Sequence, residues 1–222
     1  ARGDEMARHW AEQGHEVTVL TAFPHHPTGV KRPEDRGVLV REESRGRVRV
    51  IRTYVWAAPN AGTVRRILSY VSFMISAITV GAIRLRRPNV IVATSPQLAC
   101  AVAGWVLSVL KRCPFVFEVR DLWPESVVAV GAMREGQLVR WAKRLAAFLY
   151  GCAARIVTVG EGYRDGLVRG YAIDHAEIRV VPNGAEVDLF QPQSRDNSVR
   201  HEFGLADKFV CLYLGTHGMA HA

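Results

Sequence analysis

Apolar and polar residues follow two rhythms along this chain, and the rhythms alternate in a regular order. The opening "RGDEMARHWAEQG" spaces Met6, Ala7, Trp10 and Ala11 as one face of a helix, and Gly14 supplies the left-handed residue that ends it. Strand-like alternation follows at Val17, Val19 and Thr21. The Pro- and Gly-punctuated "PHHPTGVKRPEDRG" reads as a loop. Two extended runs then flank Arg45-Gly46, the pattern of a hairpin. Arg65 and Arg66 introduce an uncharged stretch, Ile67 to Ile83, which Arg84, Arg86 and Arg87 close. It is short for a membrane span and carries Ser and Thr. A helix buried between other elements and a membrane-surface helix with arginine flanks both fit it.

From Asn89 onward the order becomes strict. Continuous apolar strands at "NVIVATS", "PFVFEV", "ARIVTVG" and "AEIRVVPNG" alternate with helices at "PQLACAVAGWVLSVLKR", "EGQLVRWAKRLAAFLYGCA" and "EGYRDGLVRGY". Strands apolar on both sides, separated by helices, predict an α/β fold with a Rossmann-like parallel sheet covered by helices on both faces. After Gly184 the chain turns polar and broken, as in a linker with a short helix. "FVCLYLGTHGMAHA" then restarts the pattern with a strand from Phe209. The expected organisation is one Rossmann-like domain over residues 1–187, a linker over 188–207, and the start of a second α/β domain over 208–222. Because the chain opens directly on a helix, a preceding first strand is also expected.

Composition narrows the partners. Of the 222 residues, 49% are hydrophobic and 23% charged, enough to bury a sizeable core. Lys and Arg number 29 against 21 Asp and Glu, a formal net charge of +8 that suits anionic partners. The chain has no Lys-rich tail and no basic-aromatic repeat, which argues against nucleic acid. Cys100, Cys113, Cys152 and Cys211 form no C-x-x-C pair and sit among apolar residues; they read as small buried hydrophobes in a reducing compartment.

The chemistry gathers where strands end. Ligands of open parallel sheets bind beyond the strands' carboxyl ends. Those ends carry Thr94-Ser95-Pro96, Arg120-Asp121, Gly160-Glu161 and Pro182-Asn183-Gly184. Two readings fit the charged pair. In one, Arg120 binds phosphate or substrate oxygens through its forked donors and Asp121 accepts from a sugar hydroxyl or acts as base. In the other, Asp121 caps a helix starting at Leu122 and Arg120 neutralises a neighbour. The "GTHG" turn, Gly215 to Gly218, can seat a phosphate on a helix N-terminus or serve as a plain strand–helix turn. His25 and His26 lack metal-ligand spacing, and no metal is expected.

The phrases "ARHWAEQGHEVTVLTAFPHHPTG", "FEVRDLWPES", "RIVTVGEGYRDGLV", "VVPNGAEVDLF" and "LYLGTHGMAHA" stand in the order found in glycosyltransferase family 4. The resemblance covers essentially the whole chain. It is similar to the bacterial surface-polysaccharide branch that includes amino-deoxysugar transferases of O-antigen and lipopolysaccharide or colanic-acid pathways. The resemblance implies the first half of the two-domain GT-B architecture. It also implies retaining transfer of a sugar from a nucleotide-sugar donor, UDP- or GDP-linked, to a polyprenyl-linked or saccharide acceptor, without an obligatory metal or cofactor. The place it implies is the cytoplasm, peripheral at the inner face of the cytoplasmic membrane. The alternative is a non-catalytic module of a split transferase that binds an acceptor or a subunit.

Residue by residue, Arg120 stands where many relatives have His, and Asp121 follows as in relatives with His-Asp. This departure points Arg120 towards an anionic group or the sugar, and the pair is assigned the catalytic role. Gly215, Thr216, His217 and Gly218 match the donor-diphosphate loop, with Asn183 also on the donor side. Pro27, Thr28, Ser95, Trp123 and Glu161 fall on the acceptor side. The family's first strand with its Gly-rich loop, and the Glu-x7-Glu segment of its second domain, have no counterpart in these residues. The chain by itself is therefore expected to be inactive.

Overall fold

The computed structural model describes residues 2–25, 28–57, 62–129, 131, 135–187 and 190–215, apart from the side chain of Thr63. The described residues fall into two units, one ending at Pro182 and one beginning at Asn183.

The first unit opens with helix α1, Arg2–Glu12. Its small residues Ala7 and Ala11 lie one turn apart and are buried against Val48 and Val50, so the helix approaches its sheet closely. Gly14, at φ +92°, turns the chain into strand β1, Thr18–Ala22. The hairpin read from the sequence is β2, Val40–Arg45, against β3, Val48–Thr53, with Arg45 opposite Val48. Strand β1 pairs parallel to β3, giving a three-stranded sheet in the order β1-β3-β2. On the hairpin, Arg49 pairs with Glu42 at 2.8 Å and Arg52 with Glu43 at 2.7 Å.

Helix α2, Thr63–Arg84, crosses to a second sheet. Four parallel strands form it in the order β4-β5-β6-β7: Ile91–Thr94, Phe115–Val119, Arg155–Thr158 and Ile178–Val180. They are the four apolar runs of the sequence, joined by α3 (Leu98–Lys111), α4 (Glu125–Ala129) with α5 (Gln137–Cys152), and α6 (Glu161–Tyr171). Every connection steps to the next strand in one direction, so right-handed crossovers put α3, α5 and α6 on the same face. There Phe115, Phe117, Val119, Ile156 and Ile178 meet Ala101, Ala146, Leu149 and Leu167 in the main core. The α/β class with a parallel sheet flanked by helices is as expected.

The strands form two sheets, and α2 bridges them by packing on α3 as well as on β1 and β3. At the bridge Gly81 lies against Leu107 of α3 and Leu20 of β1; a Cβ there would stand 2.7 Å from the Leu107 side chain. Helix α2 is less buried than a core helix. Ile67, Leu68, Ile75 and Ile83 are exposed, because one stripe of the helix suffices to fill the space over β1 and α3. By length and composition alone, Val64–Arg84 could cross a membrane.

In the second unit, Asn197 caps α7, Ser198–Glu202, by accepting from the Arg200 amide at 3.1 Å. The strand expected from Phe209 does not form. Phe209 is 90% and Leu214 91% exposed, and among the described residues this unit offers no other strand to satisfy the segment's amides and carbonyls. All four cysteines are free; Cys100, Cys113 and Cys152 are half-buried and Cys211 is exposed, against the expectation of buried hydrophobes.

The close approach of α3 to β4 yields a prediction. A Cβ on Gly104 would lie 2.5 Å from the Ala93 Cβ, which cannot swing away. Gly104→Ala should destabilise by about 2 kcal/mol through overpacking. Gly151→Ala on α5 meets nothing within 4 Å and should stabilise by about 0.5 kcal/mol. Urea midpoints of the two variants should therefore move in opposite directions.

Candidate functional site

The carboxyl ends of β4 and β5 are sewn together by one hydroxyl. Ser95 follows β4 directly, and its amide donates to the Glu118 carbonyl at 2.9 Å. Its Oγ accepts from the Arg120 amide at 2.9 Å and donates to the Asp121 carbonyl at 3.4 Å. Asp121 is held from the other side, where Ser126 Oγ donates to its Oδ2 at 3.0 Å. The Asp121 carbonyl also accepts from the Trp123 amide at 3.0 Å. The pair is thus fixed through its backbone while the Arg120 side chain stays exposed. Among the described residues Arg120 makes no ion pair. The expected helix start at Leu122 is displaced: α4 begins at Glu125, and the Asp121 carboxylate engages a side-chain hydroxyl.

Leu122 and Trp123 pack on the main core. Leu122 Cδ1 sits where a Cβ on Gly166 would lie 2.5 Å away, so the bare backbone of α6 makes room for the loop. Glu161 opens α6 at the neighbouring strand end and pairs with Arg164. The structure thus brings Ser95, Arg120, Asp121, Trp123 and Glu161 to adjacent strand ends. Thr28 lies elsewhere, in the loop after β1, with its Oγ1 accepting from the Val30 amide. Asn183 and Gly215 belong to the second unit. Pro27, Thr216, His217, Gly218 and His26 lie outside the described residues.

Two carboxylates at this end, one buried and one half-buried, were not read from the sequence. Glu118 projects from β5 on the side opposite Phe117 and Val119 and pairs with Arg2 of α1 at 2.8 Å; the two side chains are 7% and 13% exposed. Arg2 also donates to the carbonyls of Pro182 and Val181, each at 3.2 Å, tying the ends of β5 and β7 to the first helix. The signal available was a single Glu in an otherwise apolar strand. The second carboxylate is Glu125. Tyr171 donates to its Oε1 at 2.6 Å, while its Oε2 atom is buried without a hydrogen-bond partner among the described residues. Burial, then this hydrogen bond and the Glu125 charge, push the Tyr171 phenol well above its ordinary range. Burial, with Glu125 and Asp121 nearby, does the same for Tyr150. Beyond β1, the Lys31 ammonium stands 4.2 Å over the Tyr54 ring, and burial lowers its pKa.

Among the described residues no cluster of His, Cys, Asp or Glu is placed to hold a metal ion. A groove of about 520 Å³ lies at the opposite end of the sheet, lined by Trp105, Arg112, Phe115 and Ala153, away from these polar groups.

A hydroxyl-stapled Arg-Asp turn beyond a parallel strand suits recognition of sugar hydroxyls and phosphate oxygens. The family model of the glycosyl transferase 4-like domain matches residues 2–184, a span that contains this whole constellation. The chain belongs to that family. Its parallel sheet is the Rossmann-like half that the GT-B architecture of the family requires. The chain is also 26% identical over 220 residues to a protein of Escherichia coli (strain K12) named as a colanic acid biosynthesis glycosyl transferase, WcaI. That match takes in 96% of this chain and 54% of the relative, so the chain spans about half the length of the relative it matches.

The Tyr171–Glu125 bond gives a pH prediction. A phenol whose folded pKa exceeds its unfolded value, near 10.0, contributes its full stability below that value and loses it as pH rises above it. Tyr171→Phe removes the bond and strands the carboxylate, costing about 2 kcal/mol at neutral pH. Denaturation curves across pH should show the gap between parent and variant narrowing above pH 10.0. A gap independent of pH would contradict the assigned coupling.

Proposed function

We propose that this chain is the acceptor-side part of a retaining glycosyltransferase of bacterial surface-polysaccharide biosynthesis. The enzyme moves a sugar, of hexosyl type, from a UDP- or GDP-linked donor to a polyprenyl-linked or saccharide acceptor. The observation that carries this reading is the Arg120-Asp121 turn, stapled by Ser95 at the carboxyl ends of adjacent parallel strands, in a chain of this family. The name of the Escherichia coli relative supports the polysaccharide context.

In the reaction the anomeric carbon exchanges its bond to the donor diphosphate for a bond to an acceptor oxygen. The acceptor hydroxyl loses a proton and the nucleoside diphosphate leaves. Asp121 positions the acceptor hydroxyl and manages its proton. Arg120 offsets the negative charge that develops in the cleft. Ser95, Trp123, Glu161 and Thr28 serve the acceptor side, and Pro27 is assigned to the same role. Asn183 and the Gly215 to Gly218 loop serve the donor, and no metal is required. The net positive charge and the arginines around α2 suit an acceptor carried at the inner face of the cytoplasmic membrane.

The test uses the encoding reading frame followed past both ends of this chain. With a labelled nucleotide sugar and a polyprenyl-diphosphate acceptor, the longer protein should form a labelled product, and residues 1–222 alone should form none. Asp121→Ala in the longer protein should lower turnover by about 100-fold. Its melting temperature should move little, since Ser126 is a partially buried partner that water can reach. Unchanged turnover with a lower melting temperature would reduce Asp121 to a structural role.

A further inference from the structure

A helix that packs one face on a sheet normally turns a polar face to water. Helix α5 does not. Its inner face buries Val139, Ala146, Leu149 and Tyr150. Its outer face exposes Leu138, Trp141, Leu145 and Phe148, spaced three, four and three residues apart along one stripe; Trp141 is 67% exposed. Phe148 continues the stripe towards α3, where it meets Trp105 edge-on with ring centroids 4.9 Å apart. Val109 and Leu110 of α3 are also exposed, and α2 adds Ile67, Leu68, Ile75 and Ile83. Helix α2 packs on α3 and α3 on α5, so these side chains share the outer surface of a single layer.

The charges on these three helices have one sign. The segments of α2, α3 and α5 contain no Asp or Glu. They carry Arg65, Arg66, Arg84, Lys111, Arg140, Lys143 and Arg144, with Arg86, Arg87 and Arg112 just beyond helix ends. Acids adjoin these helices: Glu42 of the hairpin pairs with Arg84, Glu135 before α5 pairs with Lys143, and α6 of the same layer carries Glu161 and Asp165. The Arg144 guanidinium lies 5.6 Å from the Trp141 ring centroid. A second copy of the chain is a poor occupant, because a two-fold contact would set this cationic face against itself. An anionic bilayer offers both complements, headgroup phosphates for the cations and an acyl boundary for the Trp, Phe and aliphatic side chains.

We propose that the outer face of α2, α3 and α5 docks on an anionic lipid surface, with Trp141 and its neighbours on α5 entering the interface and the arginines on its headgroups. This assigns a surface to the membrane contact in the function proposed above, and it stands on observations separate from the catalytic turn.

The experiment is flotation of the 222-residue chain with phosphatidylcholine vesicles, with and without phosphatidylglycerol. Binding should require phosphatidylglycerol and weaken with added salt. Trp141→Glu with Leu145→Glu, both at exposed positions, should lower partitioning on the order of tenfold. Arg169→Gln on α6 should leave it unchanged. As a readout that survives any folding defect, brominated lipids should quench the parent's tryptophan emission, and Trp141→Phe should remove most of that quenching. Absence of binding to phosphatidylglycerol vesicles, equal binding of the double variant, or quenching that persists in Trp141→Phe would overturn the proposal. So would a parent dimer that the double variant turns into a monomer, since the face would then join two copies. Sugar transfer to a water-soluble acceptor tests the enzymatic reading independently, so either proposal can fail alone.

Discussion

Strands β4 to β7 run in the same direction, so their last carbonyls and the first amides of their loops collect along one edge of the sheet. Those groups must find partners or water. At β4 and β5 the solution is a single side chain, Ser95, which accepts from one loop amide and donates to the next carbonyl. This local satisfaction keeps the backbone of Arg120-Asp121 in place without using either side chain's charge. The guanidinium remains exposed, and among the described residues the carboxylate has only a hydroxyl partner, which leaves both groups available to a ligand.

The two carboxylates behind the turn show what such an edge costs. Burying Glu118 is tolerable because Arg2 supplies a charge at 2.8 Å and spends its remaining donors on carbonyls of the β7 end. Glu125 is less well matched, with one oxygen on Tyr171 and, among the described residues, no partner for the other. A half-satisfied carboxylate next to Asp121 is a poor choice for stability alone. It lies where the family's chemistry is expected, the kind of place where folds tolerate imperfect packing.

Much of this was legible in the sequence, and the reasons differ by element. Continuous apolar runs alternating with helix patterns marked β4 to β7, because parallel strands joined by helices are apolar along most of their length. Arg45-Gly46 marked the hairpin because a tight two-stranded turn needs a left-handed residue, and Gly46 stands at φ +59°. The Arg120-Asp121 turn was readable because charges straight after an apolar strand must face a cleft or solvent. The Arg2–Glu118 and Tyr171–Glu125 contacts were not, because they join residues 116 and 46 positions apart and only the tertiary fold brings them together. The Phe209 run misled for the opposite reason: its composition suits a strand, but pairing is a property of neighbours, and among the described residues its unit supplies none. Helix α2 fell between, since its composition cannot say how wide a stripe the sheet will cover.

The contrast between α6 and its layer mates bears on what that layer faces. Helix α6 packs on β6 and β7 in the same way that α3 packs on β4 and β5. Yet its sequence carries Glu161, Asp165, Arg164 and Arg169, an ordinary mixture of signs for a helix facing water. If the apolar, carboxylate-free character of α2, α3 and α5 came only from the demands of packing on a parallel sheet, α6 would share it. The difference therefore belongs to the outer surface. Packing asks only for the inner stripe, and α5 meets that demand with Val139, Ala146 and Leu149. Trp141 on the far side stays largely exposed beside Arg144, and exposing its ring to water is unfavourable. A surface that repeats this cost on adjacent helices, under charge of a single sign, is explained by an apolar and anionic environment outside the chain more simply than by its own fold.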